Sequence, residues 1–123
     1  MLLEIANVAQ HDAALRRRWF RDDYFDIFTW QNAQGAIVAF QICYDLPNKE
    51  RVLSWRAASG YTHDRVDAGE SSPEKNRTPI MIPDGALPLN DVLAEFDQRA
   101  AGLETPLRNH LRDGLLIYGA AVP

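Results

Sequence analysis

The sequence is poor in cysteine, has no long hydrophobic run and carries no excess of positive charge. The single cysteine, Cys43, excludes an intramolecular disulfide framework and a zinc site built from several cysteines. The longest charge-free stretch, residues 27–44, is interrupted by polar side chains, whereas a membrane-spanning helix needs about 20 mainly apolar residues. Thirteen basic against seventeen acidic residues give a net charge of −4. This balance argues against a general polyanion binder, so we expect no membrane span and no nucleic-acid partner.

The first residues of the chain predict its cellular compartment, and the chain length predicts the number of domains. Met1 to Glu4 reach an acidic residue without the basic region of a signal peptide, so we expect a cytoplasmic protein. A chain of 123 residues can bury one core but not two, which predicts a single domain over residues 1–123. No phosphate-binding glycine motif and no paired metal-binding histidines occur, so neither a cofactor nor a metal is predicted.

The middle of the chain has the pattern of an antiparallel meander. Residues 23–31, 36–45 and 51–59 are rich in aromatic and β-branched side chains, and short turn sequences around Gly35 and Pro47 separate them. A short edge strand is predicted at residues 80–82, between Pro79 and Pro83. Residues 64–78 are polar and predict a long loop.

Two helices are predicted at the C-terminal end. The first has Asn90 as its N-cap, and the second begins at Thr105 with a proline at its first helical position. The apolar residues of the second helix recur at intervals of four, four and three, namely Leu107, Leu111, Leu115 and Tyr118. The first twenty residues are ambiguous and favour a helix or helical turn. The expected fold is α+β, a three- to four-stranded antiparallel meander with both C-terminal helices packed on one face.

The predicted second strand is apolar on one face and mixed on the other. Period-2 counting places Ala36, Val38, Phe40, Ile42 and Tyr44 together, opposite Ile37, Ala39, Gln41, Cys43 and Asp45. The first set should meet the helices. Because the second set is not fully polar, it needs a further cover, which a second copy of the chain could supply. This argument predicts a homodimer.

One segment carries candidate catalytic residues at the end of the third predicted strand. His63 and Asp67 share a face in either a strand or a helix, and Glu70 joins them only in a helix. A histidine oriented by a carboxylate is a minimal general base, because its pKa lies near neutrality and the partner selects its tautomer. The other interpretation of the segment is a solvated loop whose charges pair with one another.

Arginine residues supply the candidate ligand contacts. Residues 16–21 place four arginines beside Trp19 and Phe20, while Asp22, Asp23 and Asp26 offset their charge. A guanidinium can hold a carboxylate or phosphate by two parallel hydrogen bonds, so Arg18 and Arg65 are candidates for binding a small anionic ligand.

Two functions of different classes follow from these patterns. The first is a small non-catalytic binding or accessory protein, homodimeric, that works through its long loop and mixed sheet face. The second is a small enzyme that uses His63 as a general base, with Asp67 or Glu70 orienting it, for proton transfer or hydrolysis on a small anionic substrate.

Overall fold

A computed structural model describes residues 1–67, 80–83 and 85–121, with backbone alone for residues 66–67, 80–83 and 121. Within these ranges seven strands form one antiparallel sheet in chain order, and two helices follow. The strands are β1 (Leu3–Glu4), β2 (Arg16–Arg21), β3 (Asp26–Gln31), β4 (Ile37–Tyr44), β5 (Arg51–Arg56), β6 (Gly60–Asp67) and β7 (Ile80–Pro83). The helices are α1 (Leu89–Arg99) and α2 (Thr105–Ala121).

The α+β class, the antiparallel meander and the two C-terminal helices are confirmed, but the predicted strand count of three to four is wrong. Six strands are four to eight residues long, and the seventh, β1, is a two-residue strand at the edge of the sheet. The sequence pattern misses β2 and β6 because charged side chains occupy many of their positions. The helix or helical turn favoured for the first twenty residues is also wrong, since that part of the chain contains β1, β2 and a turn at Asp12.

The inner face of the sheet packs against both helices. One row of cross-strand neighbours runs through Phe20, Ile27, Ile42, Leu53 and His63. The predicted apolar stripe of α2 is confirmed, because its four members are all buried against this face, namely Leu107, Leu111, Leu115 and Tyr118. From α1, Val92 and Phe96 complete the core. Burial of these side chains, at about 25 cal/mol per Å² of apolar surface, is the main force that holds the helices on the sheet.

Glycines let α2 approach its neighbours closely. A Cβ atom at Gly114 would lie 2.5 Å from Cζ of Phe40, and one at Gly119 would lie 2.8 Å from Cδ2 of Leu89. α2 continues past Gly119 to Ala121, so that glycine serves packing rather than termination. The start of α1 also differs from the prediction, because Pro88 and not Asn90 is its N-cap.

A β-bulge changes which residues of β4 face the helices. Trp30 pairs with Ala39 but the next residue, Gln31, pairs with Ile37, so Val38 is an extra residue in the ladder. Ile37 therefore packs against the core, whereas period-2 counting had placed it on the other face. Beyond the bulge the predicted alternation is confirmed.

The opposite side of the sheet, here called the outer face, carries both aromatic and charged side chains. Its members on β2 to β5 are Arg17, Trp19 and Arg21; Asp26, Phe28 and Trp30; Ala39, Gln41 and Cys43; and Val52, Ser54 and Arg56. The three aromatic side chains are half-buried and Val52 is only 1% exposed. Other parts of the protein therefore already shield much of this face from solvent. Neither helix in the described ranges has the length and apolar character needed to cross a bilayer.

Candidate functional site

A cavity of about 220 Å³, the outer groove, lies between the outer face and the N-terminal arm, residues 5–15. The arm contributes Gln10, His11, Asp12 and Leu15. The sheet contributes Arg17 from β2, Trp30 from β3, residues 39–41 of β4 and residues 54–56 of β5. The groove thus combines an apolar lining with two arginines.

The side chain of Gln10 fixes the arm against the edge of the sheet. Its Oε1 accepts a hydrogen bond from the backbone N–H of Arg17 at 2.7 Å, and its Nε2 donates to the Arg17 carbonyl oxygen at 2.8 Å. The carboxamide therefore takes the place of a peptide group from a neighbouring strand, and it satisfies both the N–H and the C=O of Arg17 at the sheet edge. Because Gln10 also lines the groove, this clamp sets the position of the groove wall.

Arg17 is the group best placed to attract an anion. Its guanidinium carbon lies 4.7 Å from the ring centroid of Phe28 and 6.0 Å from that of Trp30. Nη1 meets the Ala9 carbonyl oxygen at 3.5 Å, while Nε is buried with no hydrogen-bond partner. No ion pair to Arg17 or Arg56 forms among residues 1–67 and 85–121, whereas Arg18, Arg99 and Arg112 all pair with carboxylates. Within the described residues Arg17 thus retains unused donors and has no ion-pair partner, and Asp12 is the acidic residue that shares the groove lining with it.

The floor of the groove consists of small and neutral polar residues. Ala39 lies between Trp30 and Arg56 in one cross-strand row. In the adjacent row Gln41 is directly opposite Ser54. Within the described part of the chain, neither the Gln41 amide nor the Ser54 hydroxyl makes a hydrogen bond. A depression with spare hydrogen-bonding capacity therefore separates Trp30 from Arg56.

Arg18, a candidate ligand residue from the sequence, is buried on the inner face and already occupied. It donates through Nε and Nη2 to the two Glu4 oxygens, each at 2.8 Å, and through Nη2 to Glu104 at 2.7 Å. These hydrogen bonds lower the pKa of both Glu4 and Glu104 and raise that of Arg18. The pairs join the N-terminal segment to the start of α2.

We expect the Arg18 network to stabilise the fold above the ordinary pKa of its carboxyl groups, 4.5, and to be lost as pH falls below it. Their pKa is depressed in the folded state, so protonation favours unfolding. Arg18→Met should therefore lower the free energy of unfolding by about 1–2 kcal/mol at pH 7 and by less at pH 3, as measured by urea denaturation. Lys49→Met is the control, because Lys49 is exposed and does not act on either carboxyl group. An equal loss from Arg18→Met at both pH values would contradict the assignment.

His63 lies on the inner face and is 4% exposed. Its Nε2 and the Tyr44 hydroxyl are 2.6 Å apart, and its ring packs against those of Tyr44 and Tyr118. Asp67 is four positions further along β6, so strand geometry separates the two Cα atoms by about 13 Å. The Asp67 side chain and the whole of Glu70 lie outside the described residues. The hypothesis that they orient His63 as a general base therefore stays a prediction.

The remaining candidates lie apart from the outer groove. Arg65, on β6, is exposed and directly opposite Arg51. Burial raises the pKa of the Cys43 thiol to about 12, with Glu50 and Asp26 adding to the shift, so this thiol is a poor nucleophile. His110 on α2 packs edge-on against Trp55 and Phe40, and burial lowers its pKa.

The outer groove was missed at the sequence level because its residues come from five segments. The alternation of Arg17, Trp19 and Arg21 with Arg18 and Phe20 was the available signal for β2. In the described part of the chain, no group of three or more histidine, cysteine or acidic side chains is arranged to hold a metal ion. A comparison of the chain with protein-family models, curated proteins and solved structures finds no match in any of the three, so function rests on the geometry of the site.

Proposed function

We propose that the protein is a non-catalytic binding module whose outer groove holds a small anionic ligand. The observation that carries the proposal is the guanidinium of Arg17, which lines the groove without a carboxylate partner among the described residues. A buried donor without a partner costs about 1–3 kcal/mol, and an incoming anion that engages it recovers part of that free energy. Arg56 at the exposed rim adds a second positive charge.

A binding role requires fewer assumptions than a catalytic one. The general base of the enzymatic hypothesis, His63, is on the inner face, on the other side of the sheet from the outer groove. A groove ligand therefore cannot touch His63 directly. Bound ligand recovered chemically unchanged after long incubation, as followed by one-dimensional NMR, is the expected result for a binding module.

The homodimer stays a prediction and is not needed for the binding proposal. Its basis was a sheet face of mixed polarity that needed a further cover, and the aromatic side chains of that face are already partly covered by the protein's own arginines. The guanidinium of Arg17 lies over Phe28 and that of Arg21 lies over Trp19, with a carbon-to-centroid distance of 5.8 Å in the second pair.

Calorimetric titration with sodium salts of small anions, both carboxylates and phosphates, tests the proposal. At least one of them should bind with a 1:1 stoichiometry, and Arg17→Gln should weaken that binding by about tenfold or more, because a charge-assisted hydrogen bond contributes about 1.5–3 kcal/mol. Arg21→Gln is the matched control, since it removes the same charge from the same face of β2 outside the groove. No saturable binding, or equal weakening by both substitutions, would contradict the proposal.

A further inference from the structure

We propose that the ligand of the outer groove is a small aromatic carboxylate, a single flat ring bearing one carboxylate group. This inference rests on the proposed function and specifies its ligand class. The ring would lie over Ala39 beside Trp30, and the carboxylate would meet Arg17. Four features of the groove favour this class, namely its width, its apolar walls, its few positive charges and its polar floor.

The sheet register gives the groove the width of one ring. Arg17, Trp30, Ala39 and Arg56 follow one another across β2, β3, β4 and β5. Strands about 4.8 Å apart place Trp30 and Arg56 roughly 10 Å from each other, with only the Ala39 methyl group between them. A volume of about 220 Å³ is smaller than the pockets that hold drug-sized ligands, which begin near roughly 300 Å³.

The walls favour an apolar, flat body. Trp30 lines the groove from the sheet and Leu15 lines it from the N-terminal arm. Aromatic rings gain about 0.5–1.5 kcal/mol from stacked or edge-on contact beyond the burial of their area. The same arrangement already occurs in the protein, where Trp19 and Phe28 stack at 5.5 Å. A ring in the groove would extend this aromatic layer.

The charge pattern favours a carboxylate over a phosphate. In this protein the Nε and Nη2 edge of Arg18 holds the Glu4 carboxylate, and the same edge of Arg112 holds Asp97 at 2.8 and 3.1 Å. Arg17 carries the same edge, and its Nε is buried without an acceptor in the described residues, so we expect the side chain to reorient when a carboxylate binds. The groove lining includes no lysine and no glycine, and it includes the acidic residue Asp12, which disfavours a doubly charged ligand.

The polar floor can accept a substituent on the ring. Gln41 and Ser54 are cross-strand neighbours beneath the groove, and their side chains offer both donors and acceptors. A nucleic-acid base is a poorer fit, because it has no carboxylate for Arg17. A small ring with a single carboxylate and a polar substituent would contact Trp30, Arg17 and the polar floor together.

Calorimetry with four matched probes tests the class of ligand. Benzoate has the ring and the carboxylate, benzamide keeps the shape without the charge, phenyl phosphate changes the anion, and acetate lacks the ring. We expect benzoate to bind at least tenfold more tightly than each of the others. Arg17→Gln should remove the advantage of benzoate over benzamide, which depends on the carboxylate, and Arg21→Gln should keep it. Circular dichroism of both variants verifies that they are folded.

The other outcomes separate this inference from the proposed function. If phenyl phosphate or acetate bound more tightly than benzoate in an Arg17-dependent manner, the aromatic-carboxylate inference would be wrong and the groove would still be an anion site. Equal binding of benzamide and benzoate would refute recognition of the charge. If none of the four probes or the other small anions bound, both the inference and the proposed function would be overturned.

Discussion

Leu111→Asp is expected to leave the chain unfolded at 25 °C. Leu111 is fully buried between α2 and the inner face, where its side chain is part of the core cluster. Removal of a buried leucine side chain costs about 2.7–5 kcal/mol, and an unpaired carboxylate in an apolar site adds several more. Because small domains have a total stability of about 5–15 kcal/mol, this single substitution can exceed it.

The measurement is far-UV circular dichroism with thermal and urea denaturation. Ile117→Asp provides the control, because Ile117 lies on the same helix and is 56% exposed. That change should alter stability by no more than about 0.5 kcal/mol. A cooperative transition for Leu111→Asp within a few degrees of the wild-type midpoint would show that α2 does not pack through this face.

Ala39→Phe is expected to abolish ligand binding while the fold is retained. Ala39 forms the gap between Trp30 and Arg56, so a phenyl group at this position would occupy the space that a ligand ring needs. The substitution lies on the outer face, away from the helical core, and aromatic residues are favourable in strands. The expected result is a loss of saturable benzoate binding in calorimetry without a fall in the melting temperature.

Thr62→Phe is the matched control for this prediction. Thr62 is an exposed outer-face residue of β6 that does not line the groove. Thr62→Phe introduces the same aromatic group on the same face and should leave benzoate binding intact. Benzoate binding of wild-type strength in Ala39→Phe would mean that the ligand binds elsewhere.

The helices could be predicted because their pattern is local. The spacing of Leu107, Leu111 and Leu115 identifies the buried face of α2 without knowledge of its partner. The same holds for β4 as far as the bulge, where Phe40, Ile42 and Tyr44 alternate with smaller or polar residues. The sequence could not predict that Ile37 faces the core, because a bulge depends on the pairing of two strands and not on one of them.

The missed strands follow from tertiary context. In β2 one of the two buried positions is Arg18, and the outer-face positions combine Trp19 with two arginines, so the segment has no apolar face of ordinary appearance. Arg18 itself sits on the inner face because Glu4 and Glu104, from distant parts of the chain, neutralise it. Without that pairing, nothing distinguishes Arg18 from Arg17, and the sequence-based choice selected the arginine with carboxylate partners.

Mapping of backbone amide chemical shifts during a benzoate titration tests the central claim most directly. If the outer groove is the binding site, saturable shift changes should concentrate in the arm near Gln10 and on β4 and β5 around Ala39 and Ser54. The amides of α1 and α2 should remain unchanged. Changes confined to the helices, or no saturable change at any amide, would contradict the account.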